Sequence, residues 1–255
     1  MRAIRLIDGN NWIHVKVDQS LTGQIAREVF YETLNFCDLD VVIWTFDAPD
    51  ARQLRQTIFP DYKAQREATG ENIKANLDLV KQVLTFTPAI QVEVPRFEAD
   101  DVIAEIVRRY QDQTKITIFS TDGDLLQLTQ HPNVFQTRAP YEQAKPEEVR
   151  LYKTLVGDKS DNIGGIHGFG EVAWKVCNRK AFLTLLNGES PLRYPIEDWL
   201  GVKPKQAEWI ANHLDTLRSF WEITGFFSIP DVNDYLRPGT SNIPAAEELL
   251  KEFLQ

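Results

Sequence analysis

Val41-Val42-Ile43-Trp44-Thr45-Phe46-Asp47 is an apolar run of strand length that ends on an acid, and Ile116-Thr117-Ile118-Phe119-Ser120-Thr121-Asp122-Gly123-Asp124 repeats the arrangement. Continuous apolar runs of this length, without strict alternation, suit strands buried on both faces of a parallel sheet. Working outward, residues 2–7 read as a first strand that closes on Asp8, and a short strand is expected near Ile90 to Val94. Helical spacing fills the intervals: Ile25, Val29, Leu34 and Phe36, then Ile73 to Phe86, Glu98 to Tyr110, and a short piece from Gly123 to Leu128. Strands alternating with helices predict an α/β fold, a mostly parallel twisted central sheet with flanking helices. Beyond about Pro146 strand signals stop, and helices are expected over Glu147–Val156, Val172–Leu186, Lys205–Phe220 and Ala245–Leu254. The expected division is therefore an α/β region over 1–145 and a helical region over 146–255.

The strand ends carry the chemistry. Asp8, Asp47 and Asp122 each follow a strand, and open parallel sheets bind ligands beyond the carboxyl ends of their strands. A single such Asp is an ordinary turn residue or helix cap; three at one rim ask for another explanation. Phe97-Glu98-Ala99-Asp100-Asp101 adds three acids at a helix start, and Asp124 follows Asp122 closely. Acids at a helix start also suit its dipole, which accounts for their presence there but not for their recurrence at the other strand ends. Like charges crowded beside a low-dielectric core resist ionisation unless a cation neutralises them. Carboxylate oxygens suit Mg²⁺ or Mn²⁺, so the pattern points to metal-dependent phosphoryl transfer.

The bulk numbers agree with that reading. The chain has 255 residues, 43% of them apolar and 25% charged, and a formal net charge of −9. Acidity of this size normally argues against nucleic acid. Adding Asp158 and Asp161 to the seven acids above gives nine, and setting nine aside from the 37 acids leaves as many as the 28 Lys and Arg. Acidity concentrated at the chemistry frees basic patches elsewhere for phosphates. No apolar run approaches the length of a membrane span, and the start reads as a strand and not as a signal sequence. Cys37 and Cys177 fit no metal-finger or C-x-x-C spacing, so two thiols in a reducing cytoplasm are expected. Trp174, Trp199, Trp209, Phe220 and Trp221 fall at helical spacing and read as core. No G-x-x-x-x-G-K-[ST] occurs, which removes a P-loop NTPase.

Six motifs stand in order: Leu6-Ile7-Asp8-Gly9-Asn10-Asn11, Phe46-Asp47, Asp61-Tyr62-Lys63-Ala64-Gln65-Arg66, Glu98-Ala99-Asp100-Asp101, Ser120-Thr121-Asp122-Gly123-Asp124 and Gly157-Asp158-Lys159-Ser160-Asp161-Asn162-Ile163. Together they resemble the 5′→3′ exonuclease and flap endonuclease family, in its compact bacteriophage form and as the 5′-nuclease domain of bacterial DNA polymerase I. The resemblance covers roughly residues 2–185. It implies a Mg²⁺-dependent 5′-nuclease that hydrolyses phosphodiester bonds at or near DNA 5′ ends, nicks or flaps, with RNA–DNA hybrid as a further substrate. Two ions are implied, with Mn²⁺ able to substitute: Asp8, Asp47, Glu98 and Asp100 about one, and Asp100, Asp122, Asp124 and Asp161 about the other. Asp101 and Asp158 belong to the outer part of that metal set.

The polar stretch over about 48–72 resembles the family's helical arch, in which Lys63 and Arg66, three apart on one helical face, hold the scissile phosphate and Tyr62 stacks on an unpaired base. Arg52 and Arg55 join them in a segment from Ala51 to Ala75 with a surplus of two positive charges. Gly164-Gly165-Ile166-His167-Gly168-Phe169-Gly170 resembles the turn of a helix–hairpin–helix element over about 157–185, with Gly165, Gly168, Gly170 and Lys175 meeting duplex phosphates and K⁺ in the hairpin. Glu171 and Val172 depart from the basic pair usual after the last hairpin glycine; Lys175, Arg179 and Lys180 are later substitutes. The arginine usual after the first motif is absent, leaving His14 and Lys16. The alternatives are an RNase H-type or PIN-like ribonuclease and a DNA-binding homologue without catalysis. The host cytoplasm is the expected location for a phage protein of this kind, and its protein partners are unknown.

Overall fold

The computed structural model describes residues 2–17, 22–67, 69–137, 144–189 and 195–253. In chain order the strands are β1 (Ile4–Asp8), β2 (Val41–Phe46), β3 (Ile90–Glu93), β4 (Ile116–Phe119), β5 (Val134–Gln136) and β6 (Leu236–Pro238). The helices are α1 (Gly9–Val17), α2 (Thr22–Cys37), α3 (Gln53–Ile58), α4 (Glu71–Leu84), α5 (Ala99–Tyr110), α6 (Val149–Val156), α7 (Glu171–Val176), α8 (Arg179–Leu186), α9 (Ile196–Leu200), α10 (Pro204–Asn212), α11 (Leu214–Ile223) and α12 (Ile243–Lys251). Short 3₁₀ segments run over Asp124–Gln130, Pro146–Glu148 and Val232–Tyr235. Two compact units emerge, and neither is continuous in sequence: residues 1–51, 67–141 and 227–255 form the first, and 52–66 with 142–226 the second.

In the first unit the sheet order is β5-β4-β1-β2-β3-β6. β1 pairs in parallel with β2 and β4, β2 with β3, and β4 with β5. Among the described residues β6 alone runs antiparallel, against β3. One face of the sheet meets α1, α2, α4 and α12 through a core that includes Ile13, Val29, Phe30, Trp44, Val80, Val83 and Leu250. Val102, Ile103, Ile106 and Val107 of α5 are buried too. Each large apolar side chain sunk in such a core contributes roughly 1.5–3 kcal/mol, which is what holds short parallel strands in register.

The second unit is helical. Arg55 of α3 is buried and donates to the carbonyls of Ile223 and Gly225, each at 3.1 Å. Phe59 meets Phe220 edge-on, with ring centroids 5.1 Å apart. Arg150 lies over the Trp221 ring at 3.7 Å and donates to its carbonyl. Of the tryptophans expected in the core, Trp174 is buried, while Trp199, Trp209 and Trp221 are only partly covered.

Several sequence expectations need correction. Strands do not stop at Pro146, because β6 returns near the C-terminus to pair with β3. The helix expected over 172–186 is two, since Asn178 caps α8 by accepting from the Ala181 amide. The helix expected over 205–220 is likewise split at His213. Within the insertion over 48–72, α3 is followed by turns through Arg66, and Ala68 lies outside the described residues, as do Pro191 and Leu254. Among the described residues no helix is long and apolar enough to cross a membrane.

Candidate active site

The topology places the acids of the first unit. The chain moves from β1 to β2 to β3 on one side and then crosses to β4 on the other side of β1. The carboxyl ends of β1 and β4 thus flank the point where strand order reverses, the usual ligand crevice of such sheets. Asp8 ends β1 there, 5% exposed. Its Oδ1 accepts from the Asn11 amide at 3.0 Å and its Oδ2 from Ser120 Oγ at 2.8 Å. Burial pushes its pKa up from the ordinary 3.8 to about 7, and the charges of Asp47 and Asp122 add to the rise against those hydrogen bonds.

Two asparagines that sequence reasoning quoted but left without a role stitch this rim together. Asn10 Oδ1 accepts from the Asp47 amide at 3.0 Å. Asn11 Oδ1 accepts from the Thr121 amide at 2.9 Å, and its Nδ2 donates to Thr121 Oγ1 at 2.9 Å. Their only sequence signal is position, directly after the first strand's acid. Gly9 begins α1 against the Phe46 ring: an added Cβ would stand 2.3 Å from Cε1, so no larger residue fits between Asp8 and Asn10.

The remaining acids of this unit divide by task. Asp47 Oδ1 accepts from the Ala99 amide at 2.8 Å, which ties β2 to the first turn of α5. Asp122 Oδ1 accepts from the Asp124 amide at 2.8 Å, and the Asp122 amide donates to Ser120 Oγ at 3.0 Å. Glu98 is buried and Asp100 half-buried at the start of α5. Asp101, expected among the metal-holding acids, is fully buried and accepts from the amides of Glu98 at 3.3 Å and Phe227 at 2.9 Å. Its carboxylate fixes the helix start.

In the second unit the acids meet cations of the chain itself. Asp161 Oδ1 lies 3.0 Å from Arg66 Nη2 and 3.7 Å from Lys63 Nζ. The Lys63 amide also donates to the Asp161 carbonyl at 3.2 Å, with Lys63 at φ +52. Lys63 and Arg66 therefore do not share a helical face, as their spacing predicts; they sit in turns, and Asp161 draws them together. Asp158 Oδ2 is 2.6 Å from Lys153 Nζ, and its Oδ1 accepts from the Ser160 amide at 2.8 Å. Burial pushes the Asp158 pKa up, but Lys153 and Ser160 outweigh it and hold the carboxyl below its ordinary value.

Two expected DNA contacts are corrected by burial. Tyr62, expected as a stacking platform, is 2% exposed, with Lys63 Nζ 4.8 Å and the Arg55 guanidinium 5.8 Å from its ring centre. Arg55 is committed to the carbonyls described above. Arg52 is half-buried, whereas Gly168, Gly170 and Lys175 are exposed. Gly165, at φ +64, packs so closely that a Cβ would lie 2.6 Å from the Gly157 nitrogen, so its smallness serves the turn itself. Residues 157–170 link α6 to α7, and Asp158 and Ile163 exchange amide–carbonyl hydrogen bonds of 2.8 Å across the link. His167 is exposed, as its loop position predicts. The two cysteines are free thiols; burial pushes Cys37 up to about 11 and raises Cys177 as well.

A mostly parallel sheet with carboxylates near its switch point places the protein in the α/β class. The chain belongs to the 5′→3′ exonuclease family: the family model described as "5'-3' exonuclease, N-terminal resolvase-like domain" matches residues 25–154. It is 30% identical over 197 residues to the thermostable DNA polymerase I of Thermus aquaticus, covering 73% of this chain and 23% of that protein. It is 35% identical over 141 residues to the 5′-3′ exonuclease of Aquifex aeolicus, covering 51% of this chain and 48% of the relative. The chain thus matches about a quarter of the polymerase and about half of the exonuclease. Among solved structures, a bacteriophage T5 flap endonuclease crystallised with DNA and metal ions superposes with a TM-score of 0.64 at 18% identity, covering 99% of this chain and 98% of that one. A T5 5′-exonuclease with bound zinc gives 0.60, also at 18% identity. At such identities the likeness is one of fold.

Proposed function

We propose that this protein is a divalent-metal-dependent 5′-nuclease that hydrolyses phosphodiester bonds at or near the 5′ ends of DNA, at nicks or flaps, in replication, recombination or primer removal. The observation that carries the proposal is Asp8: a buried carboxyl pushed to about 7 by its burial and by two neighbouring acids. Such a group gains most from an external cation, and the surrounding donors are the carboxylate and amide oxygens that Mg²⁺ prefers. Mn²⁺ offers the same chemistry with softer demands.

Asp8, Asp47, Glu98, Asp100, Asp122 and Asp124 are the residues that would hold the metal. Divalent ions held there would supply an activated water and neutralise charge developing in the transition state. Asn10, Asn11 and Ser120 keep the acids in place before any ion arrives, so no reorganisation is asked of the rim. Lys63 and Arg66 hold the scissile phosphate, with Asp161 orienting the pair, a role that donors to developing negative charge commonly fill. Asp158 and Asp161, which offer carboxylate oxygens within 4.8 Å of one another, are proposed as further ligands. Arg52, Gly168, Gly170 and Lys175 are the proposed duplex contacts, with K⁺ in the hairpin turn over 157–170. The host cytoplasm is the proposed location.

The test is a panel of 5′-labelled flap, nicked duplex and RNA–DNA hybrid substrates incubated with magnesium, manganese or chelator. Cleavage at or near the labelled end, present with either metal and absent with chelator, is expected. Cleavage confined to RNA would favour the ribonuclease reading, and DNA binding without cleavage the inactive homologue.

A further inference from the structure

The hairpin turn over 157–170 lacks the basic pair its pattern calls for, and the second unit contains a neighbour able to make up the loss. Gln206 of α10 is 5% exposed, and its Nε2 donates to the carbonyl of Gly168 at 2.8 Å. Its Oε1 accepts from the Lys203 amide at 2.9 Å. One buried side chain therefore spans from the exposed hairpin glycine, at φ +71, to the residue that begins α10. Two further hydrogen bonds fasten the same neighbourhood: the Asn178 amide donates to the Leu200 carbonyl at 2.8 Å, and Asn178 Nδ2 donates to the Trp199 carbonyl at 3.1 Å. Residues 199–206 are thus locked to the hairpin and to the α7–α8 junction, and Lys203 and Lys205 are exposed beside it.

The charges beside the two lysines are mixed, since Glu197 and Asp198 open α9 just before them. Glu171, which stands where a basic residue is usual, directs its carboxylate to the Tyr152 hydroxyl. Glu208 lies one helical turn beyond Lys205, while Lys203 precedes the helix altogether.

We infer that Lys203 and Lys205 form, with the hairpin and Lys175, a contact surface for the phosphate backbone of duplex DNA, and that Gln206 positions it. The inference rests on the nuclease reading above and gives the sequence beyond residue 190 a function. A cation that neutralises one phosphate releases condensed counterions, so each such lysine adds about 0.9 to the slope of log affinity against log salt.

The experiment compares Lys203→Ala/Lys205→Ala with the parent on a fluorescent nicked duplex by anisotropy at several salt concentrations. Both are measured in an Asp122→Ala background with magnesium present, and single-turnover cleavage is followed in the otherwise native chain. The double variant should bind at least about tenfold more weakly at 0.1 M salt, with a slope smaller by about two. Its cleavage rate at saturating protein should stay within about twofold of the parent, because neither lysine touches the reacting atoms. Lys251→Ala, an exposed lysine of α12, should change nothing. Unchanged affinity and slope, or an equal loss in Lys251→Ala, would overturn the surface while leaving the nuclease assignment intact. A native chain that neither binds nor cuts DNA would overturn both.

Discussion

Asp8 and Asp158 are the same residue type, each largely withdrawn from water, and their pKa values move in opposite directions. Asp8 sits among acids and rises to about 7. Asp158 is half-buried beside Lys153 and falls below its ordinary value. In the first unit Asp8 feels the like charges of Asp47 and Asp122, while in the second Asp161 lies between Lys63 and Arg66. A buried carboxyl crowded by like charges is costly to a fold, and such perturbed groups cluster at functional sites. Internal balance is what a scaffold or an orienting group needs.

The largest effect should come from the rim that holds Asp8. Asp122→Ala is expected to lower cleavage by about 10⁴-fold or more, roughly 5.5 kcal/mol of transition-state stabilisation, while DNA binding survives. Turnover comparable with the native chain would break the contrast outright.

Next comes pH. Between 3.8 and about 7 the unfolded chain releases the Asp8 proton before the folded one does. Asp8 therefore supports the fold fully below about pH 4, and that support fades as pH rises through about 7, in total about 4 kcal/mol. Asp158 acts in reverse, stabilising above 3.8 and losing its contribution as pH falls through its lowered value. Thermal melts in chelator should thus decline from pH 4 to 7, and magnesium should flatten the decline. Identical melts with and without the metal would remove the rim's claim to an ion.

Lys63→Ala should reduce the cleavage rate by about 10²–10³-fold, with a smaller change in affinity, since donors to developing charge act on the rate. A pure affinity loss would place Lys63 away from the reacting centre and make Asp161 a simple ion-pair partner. The smallest effect concerns Arg55. Arg55→Ala leaves two buried carbonyls without their donor and should lower stability by roughly 2–4 kcal/mol. Its activity per folded molecule should stay within about twofold of the native chain, in contrast to a residue gripping DNA. A selective loss of DNA affinity would restore the expectation drawn from its charge.

The contrast also marks where sequence reading works. β1, β2 and β4 were legible because each is a local apolar run, and the acid after each run is read off by adjacency. β6 was not, because three residues ending in Pro238 carry almost no local signal and become a strand only by pairing with Ile90–Val92. The breaks at Asn178 and His213 interrupt helical spacing without glycine or proline, so periodicity runs straight through them. The Lys63 turn was misread for a similar reason: a partner nearly a hundred residues later in the chain decides its conformation. Asn10, Asn11 and Ser120 hold the rim through tertiary hydrogen bonds, which no window of sequence contains.

The bond from Ser120 to Asp8 joins residues 112 apart, and Thr121 and Asn11 are separated by 110. A ribosome must therefore add more than a hundred residues after Asp8 before the crevice has both of its walls. Closing so distant a contact is slow compared with forming a helix. An unfinished chain leaving the exit tunnel accordingly has no assembled pocket, and whatever chemistry the rim performs is withheld from nearby nucleic acid until the sheet has closed around it.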